Sequence, residues 1–349
     1  MRAAVVHGPH RLQVETVPEP TIGEYEALTH IVACGVCTGT DAHIVSGAFP
    51  YMQPYPFILG HESIGRVIGV GSKVRSFKPG DLVLRPVAVR PGATLGGVGS
   101  VFGGYAELGV VADAQAMIDD TPRSQLPPRL PSFADAQQVV PPTFDPIDAG
   151  MFITFKETLS WLHKLGPLPG RDILIFGTGP VGLCFTRIAK YLGARTVIVV
   201  GRRDERLDLA RQMGANAVID TRRQDVVVAC RELTDGRGVD YVVEGIGDTS
   251  FLALGARLVA QGGQVALYGA PPELSVTLDW AGAAPDWQLR FISPREGDVH
   301  DLALDLMRLG LIDLRSFVSH VLPLERIGEA FQLLREKRAL KPVILIDNN

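Results

Sequence analysis

Two patterns of apolar positions divide the chain. From about residue 152 to 292, short unbroken apolar runs alternate with stretches of helical period. The runs fall at 172–176, 196–200, 217–219, 239–243, 264–268 and 289–292. Helical patterns at 180–192, 204–213, 223–233 and 250–260 lie between most of them. Short runs that are apolar on both faces suit parallel strands covered by helices. Six of them with crossover helices predict an α/β doubly wound parallel sheet over 151–294. Residues 1–150 differ. They carry short strands such as Ala3–Val6, Ala27–Val32, Ser63–Val70 and Leu82–Leu84, many Gly and Pro, and little helical period. That pattern predicts an irregular β domain. Two helical segments around 299–309 and 324–337 and a strand, Pro342-Val-Ile-Leu-Ile346, follow the sheet. The stretch from about 295 to 349 is expected to return to the first domain, making that domain discontinuous.

The first strand of the predicted sheet runs directly into Gly177-Thr178-Gly179-Pro180-Val181-Gly182, and a helical pattern starts there. Strand, glycine turn and helix form the setting of a dinucleotide fingerprint. Gly177 allows the tight turn, Gly179 the approach of a pyrophosphate, and Gly182 close packing of helix on strand. The helix N-terminus offers unpaired N–H groups and the positive dipole end. About 20 residues past such a turn, an acidic residue would hold the ribose 2′-OH of NAD. This chain has Gly201 there, followed by Arg202 and Arg203. A carboxylate that would repel a 2′-phosphate is missing, and two guanidiniums are at hand to bind one. The expected cofactor is NADP(H). Gly245 and Gly269, just past the fourth and fifth strands, join the candidate cofactor positions.

Composition narrows the partners. With 349 residues, of which 46% are hydrophobic, the chain can bury the cores of two domains. Net charge is −4 and there is no basic tract, so no nucleic-acid partner is expected. No secretory h-region and no run of about 18 apolar residues stands out, so no membrane association is expected. The four cysteines are unevenly placed and suggest no disulfide framework. A cytoplasmic setting is the default expectation.

Two clusters in the first domain carry chemistry: Cys34-Gly-Val-Cys37-Thr-Gly-Thr40-Asp-Ala-His43 and Gly60-His61-Glu62. Thiolate, imidazole and carboxylate are the ligand types of zinc. Taken singly, each has a plainer reading: Cys34 as a small core residue, His61 and Glu62 as a surface pair.

Together with the glycine turn, these clusters resemble the medium-chain dehydrogenase/reductase family, of the zinc-dependent alcohol and polyol dehydrogenase type. The resemblance spans nearly the whole chain. It rests on Gly35-Val-Cys37, Thr40-Asp-Ala-His43, Ile58-Leu-Gly-His-Glu62, Val70-Gly-Ser72, Phe77-Lys-Pro-Gly-Asp81, Gly103-Gly-Tyr-Ala-Glu107, Gly177–Gly182 and Leu322-Pro-Leu-Glu325. It implies a GroES-like first domain and a cleft holding substrate, nicotinamide and one catalytic zinc. It implies Cys37 and His61 as zinc ligands, Glu62 as an exchanging ligand, Thr40 and His43 as a proton relay, and Asp41 orienting a ligand. The implied reaction is hydride transfer between nicotinamide and a secondary alcohol, polyol or sugar. A homodimer or homotetramer is the implied assembly.

Three departures from the family pattern bear on the site. Cys37 and Asp41 are four apart where the family has three, so rigid alignment would place Thr38 at the ligand position and one inserted residue restores Cys37. The position of the family's third protein ligand falls on Phe152, Ile153 or Thr154, none a plausible ligand apart from a weak Thr hydroxyl. Glu157, one turn further along, either substitutes as ligand, pairs with Lys156 or Lys164, or faces the cofactor. Residues 84–101 contain no cysteine, so no structural zinc is expected. Lys156, Glu157, Trp280 and Trp287 are candidates to line the cleft. Two other functions fit parts of the pattern: a zinc-independent carbonyl or enone reductase, and a non-catalytic NADPH-binding protein.

Overall fold

The computed structural model describes residues 1–349 except 50–54, 91, 101, 123–124, 126–133, 272–274, 280 and 347–349. Trp280 and much of the loop before Tyr55 therefore lie outside the described residues. The chain divides into two units. One comprises Met1–Ile153 and Glu296–Asn349, the other Thr154–Arg295.

The first unit is built on two sheets. In the larger, Glu26–Gly35 is central. It pairs antiparallel with Glu62–Val70, with Leu108–Ala112 and with Lys341–Leu345. Gly35 is opposite Glu62 on one side and Val343 on the other. This double register draws the chain's distant Lys341 segment beside Glu62. The smaller sheet is four-stranded, with Arg2–Val6 flanked by Leu12–Thr16 and Phe57–Ile58. A core of Ile31, Cys34, Val36, Leu59, Tyr105, Phe331 and Ile344 fixes the larger sheet against the helix Ile327–Arg335. Two short helices, Thr40–Ser46 and Ala114–Asp120, stand where the sequence suggested only irregular β structure.

The second unit carries a six-stranded parallel sheet of Asp172–Phe176, Thr196–Gly201, Ala217–Asp220, Val239–Glu244, Val259–Leu267 and Gln288–Phe291. Numbered along the chain, their spatial order is 3-2-1-4-5-6. This is the doubly wound order whose direction reverses between strands one and four. Asp172–Phe176 and Val239–Glu244 are almost wholly buried, as their unbroken apolar character requires. The helix expected at 250–260 stops at Ala256, and the fifth strand starts early, at Val259. The turn between them closes on Arg257 N–H to Leu254 O and Leu258 N–H to Gly255 O bonds. A helix not distinguished in the sequence, Ala149–Leu165, precedes the sheet. It is buried nearly all round, its polar residues included, so no exposed polar stripe marks it. Among the described residues no helix is long and apolar enough to cross a membrane.

Candidate metal and cofactor sites

In the first unit, Gly35 ends the central strand and the chain turns through Cys37 into the helix Thr40–Ser46. His61 and Glu62 open the neighbouring strand. The register that pairs Gly35 with Glu62 brings the two sequence clusters together. One ligand atom from each of Cys37, His61 and Glu62 lies within 4.8 Å of the others. A thiol, an imidazole and a carboxylate that converge in this way suit zinc.

The surroundings orient these groups. Asp41 is buried, and its Oδ1 lies 3.3 Å from His61 Nδ1. The Tyr105 hydroxyl donates to Asp41 Oδ2 at 2.6 Å, and the Cys37 backbone N–H donates to the same oxygen at 3.2 Å. One carboxylate thus ties the cysteine's backbone to the imidazole, the usual task of a residue behind a metal ligand. Burial would lower the pKa of His61, but the charge and hydrogen bond of Asp41, with help from Cys37, raise it well above the usual imidazole range. Burial likewise raises that of Asp41, and the His61 charge outweighs it and holds the carboxyl low. Arg85 Nη1 donates to the His61 carbonyl at 2.5 Å, and its Nε lies 2.5 Å from Glu296 Oε1.

Glu62 is also ion-paired. Lys341 Nζ donates to its Oε1 at 2.6 Å, and both side chains are buried. Neither Tyr105 nor Lys341 was distinguished as a site residue in the sequence. Thr40 begins the short helix, and His43 follows one turn along. His43 Nδ1 is buried without a hydrogen-bond partner among the described residues. Phe152, Ile153 and Thr154 are all buried. Phe152 packs on Phe144, with ring centroids 5.3 Å apart, and edge-on to His300 at 5.9 Å.

In the second unit, Gly177 has φ +114°, which frees the turn after the first strand. Thr178 is buried, Gly179 is the helix N-cap, Pro180 is at the first helical position and Val181 follows it. A Cβ on Gly182 would come within 2.1 Å of the Gly177 carbonyl oxygen, so the helix packs this closely only on glycine. Gly201 ends the second strand, where a Cβ would meet Thr178 Cγ2 at 2.6 Å and Leu207 Cδ2 at 3.0 Å. Arg202 is exposed and Arg203 half-buried. Arg206 is buried, and burial and the like charge of Arg203 both lower its pKa. Gly245 donates to the Phe176 carbonyl at 3.2 Å and Gly269 to that of Glu244 at 3.1 Å. Glu157 is half-buried on the helix Ala149–Leu165, and its Oε2 accepts from the Tyr268 hydroxyl at 3.3 Å.

Comparison with known proteins adds to this geometry. The alcohol dehydrogenase GroES-like domain matches residues 23–120 and the zinc-binding dehydrogenase family matches residues 180–303, together more than half of the chain. Sorbitol dehydrogenase of Bacillus subtilis (strain 168) is 30% identical over 343 residues, 95% of this chain and 93% of that protein. The chain belongs to the medium-chain dehydrogenase/reductase family. As a member it is an oxidoreductase of the zinc-type alcohol and polyol dehydrogenase class, with a GroES-like domain and a Rossmann domain. Among solved structures, alcohol dehydrogenase TADH from Thermus sp. ATN1 superposes with a TM-score of 0.80 at 26% identity, covering 99% of this chain and 100% of that one. A zinc-binding dehydrogenase from Sinorhizobium meliloti 1021, bound to NADP, superposes with a TM-score of 0.78 at 25% identity, covering 99% of each chain.

Proposed function

We propose that this medium-chain dehydrogenase/reductase is an NADP(H)-dependent, zinc-assisted dehydrogenase of a secondary alcohol, polyol or sugar. The observation that carries the reading is the convergence of Cys37, His61 and Glu62 to within 4.8 Å. Zinc held there supplies Lewis-acid polarisation of an alcohol or carbonyl oxygen. The chain's own residues do the rest. Asp41 fixes the imidazole of His61, and Lys341 holds the Glu62 carboxyl group in place. Thr40 and His43, one turn apart on the same short helix, pass the hydroxyl proton outward. For the cofactor, support comes from Gly201 in place of an acidic residue, from Arg202 and Arg203 beside it, and from the NADP bound by the Sinorhizobium protein. The sheet edge at Gln288–Phe291, with Phe291 69% exposed, supports a homodimer or homotetramer.

The test is reduction of NADP⁺ by a panel of secondary alcohols, polyols and sugars, before and after chelation. Turnover with at least one substrate, lost on chelation and restored by zinc, is the expected result. The alternative, a zinc-independent carbonyl or enone reductase, is favoured by one observation. The aromatic packing of Phe152 on Phe144 and His300 fills the neighbourhood where the family resemblance expects a third ligand. Reduction of carbonyls or enones by a protein that contains no zinc and ignores chelators would replace the first reading with this one.

A further inference from the structure

The metal-ligand cluster of the first unit stands on a buried ion pair whose task the proposed reaction does not explain. Gly60, in the left-handed region at φ +96°, turns the chain into His61. Pairing with the central strand begins one residue later, at Glu62, so the His61 carbonyl lies outside that ladder. A buried carbonyl needs a donor, and Arg85 Nη1 supplies one at 2.5 Å. The same guanidinium puts its Nε 2.5 Å from Glu296 Oε1, and the two side chains are only 5% and 11% exposed. Arg85 itself is held in an unusual conformation. Its φ of +57° is uncommon for a residue with a side chain. Its backbone N–H donates to Ser63 O at 2.7 Å, and its carbonyl accepts from Gln137 Nε2 at 2.9 Å. Gln137 is buried and accepts in turn from the Ala112 N–H at 2.8 Å. Strain over-determined in this way is characteristic of functional sites.

The chemistry of the pair narrows its role. A guanidinium is a planar fork that serves a carbonyl and a carboxylate at once, which an ammonium on a flexible stem does poorly. A lone cation beside His61 would repel a divalent metal, and the Glu296 carboxylate offsets that charge. What the pair adds is therefore direction. Asp41 Oδ1 faces the ring at Nδ1, 3.3 Å away, and Phe102 lies against the ring with centroids 5.3 Å apart. Arg85 holds the backbone. Ring and backbone are thus fixed by separate partners.

From this we infer that Arg85, braced by Glu296, is a positioning residue for the metal ligand His61. It fixes the His61 backbone so that the imidazole meets the Cys37 thiol and the Glu62 carboxylate as a ligand set. The inference rests on the zinc-assisted reading above and deepens it.

The test is metal affinity measured without turnover. Metal-free protein is titrated with zinc against a chromophoric chelator, and with cobalt(II) followed by its visible absorption. Arg85→Met should weaken zinc binding by about 10- to 100-fold, the usual loss when a partner behind a metal ligand is removed. Its cobalt(II) bands should shift and weaken. NADPH binding should stay within about twofold, because the glycine turn belongs to the other unit. Arg85→Lys keeps the charge without the fork and should rescue little of the metal affinity. Arg85→Met/Glu296→Gln leaves no orphaned charge, so its melting temperature should recover toward the wild type while zinc binding stays weak. Unchanged or tighter zinc binding by Arg85→Met would overturn the inference, since removal of a cation alone favours a divalent metal. So would full metal affinity in Arg85→Lys, or recovery of metal affinity together with stability in the double variant. If Arg85→Met does not fold, Arg85→Lys and the double variant carry the test. Loss of zinc in Cys37→Ala and His61→Ala beside normal zinc binding in the Arg85 variants would overturn this inference alone. Wild-type protein that binds neither zinc nor cobalt(II) would overturn the zinc-assisted reading with it.

Discussion

Lys341 Nζ donates to Glu62 Oε1 across 279 residues of sequence, and both side chains are buried. A buried charge that loses its partner costs roughly 3–5 kcal/mol. Lys341→Met should therefore lower the melting temperature by roughly 5–15 °C. The double variant Lys341→Met/Glu62→Gln should recover much of that loss, because the orphaned charge is gone. Calorimetry on the two variants checks the coupling. Equal melting points for Lys341→Met and the wild type would show that Glu62 is satisfied by other means.

The proposed metal centre predicts one zinc per chain and no second. Cys37→Ala and His61→Ala should each remove metal and turnover while leaving NADPH binding intact, since the glycine turn belongs to the other unit. Elemental analysis beside fluorescence titration with NADPH decides it. A variant that keeps its zinc removes that residue from the ligand set.

Cofactor choice can be tested on the two arginines. Arg202→Ala and Arg203→Ala should weaken NADPH binding by about 10- to 100-fold together, the scale of charge-assisted hydrogen bonds to phosphate. NADH binding should change little. Converting the site to NAD by Gly201→Asp alone is expected to fail, because its Cβ would strike Thr178 Cγ2. Gly201→Asp with Thr178→Ala makes room and should reverse the preference. Tighter binding of NADH than NADPH by the unaltered protein would contradict the assignment.

Stability below neutral pH should depend on Asp172. Burial raises its pKa, but hydrogen bonds and charge from Arg195 and Arg237 outweigh it, so the folded-state pKa lies below the ordinary carboxylate value. The stabilisation is therefore present above the unfolded pKa of about 3.9 and is lost as pH falls through the lower, folded value. Both arginines are partly exposed, which limits the effect to about 1–2 kcal/mol. Asp172→Asn should melt below the wild type at pH 7, and the gap should begin to narrow as pH falls below about 4. A gap that stays constant down to pH 3 would assign the effect to packing.

What was legible in the sequence depended on range. The buried strands of the second unit are continuous apolar runs, and their limits came within a residue or two for most of them. The glycine turn was legible because each glycine meets a local steric demand, as Gly182 shows against Gly177. Cys37, His61 and Glu62 could be singled out by residue type. Their convergence depends on the pairing of Gly35 with Glu62, which no local pattern encodes. The Tyr105–Asp41 and Arg85–Glu296 contacts escaped for the same reason. The helix Ala149–Leu165 was missed because a helix buried on most sides has no polar face to reveal its period.

The discontinuity of the first unit also sets an order of events during synthesis. Cys37, His61 and Glu62 leave the ribosome early, yet the strand that brings Lys341 to Glu62 is made only after the whole six-stranded sheet. Until then the pocket lacks its counter-charge and the central strand Glu26–Gly35 lacks one neighbour. The Rossmann unit is thus free to fold first, and the proposed metal pocket reaches its final form as the strand Lys341–Leu345 docks.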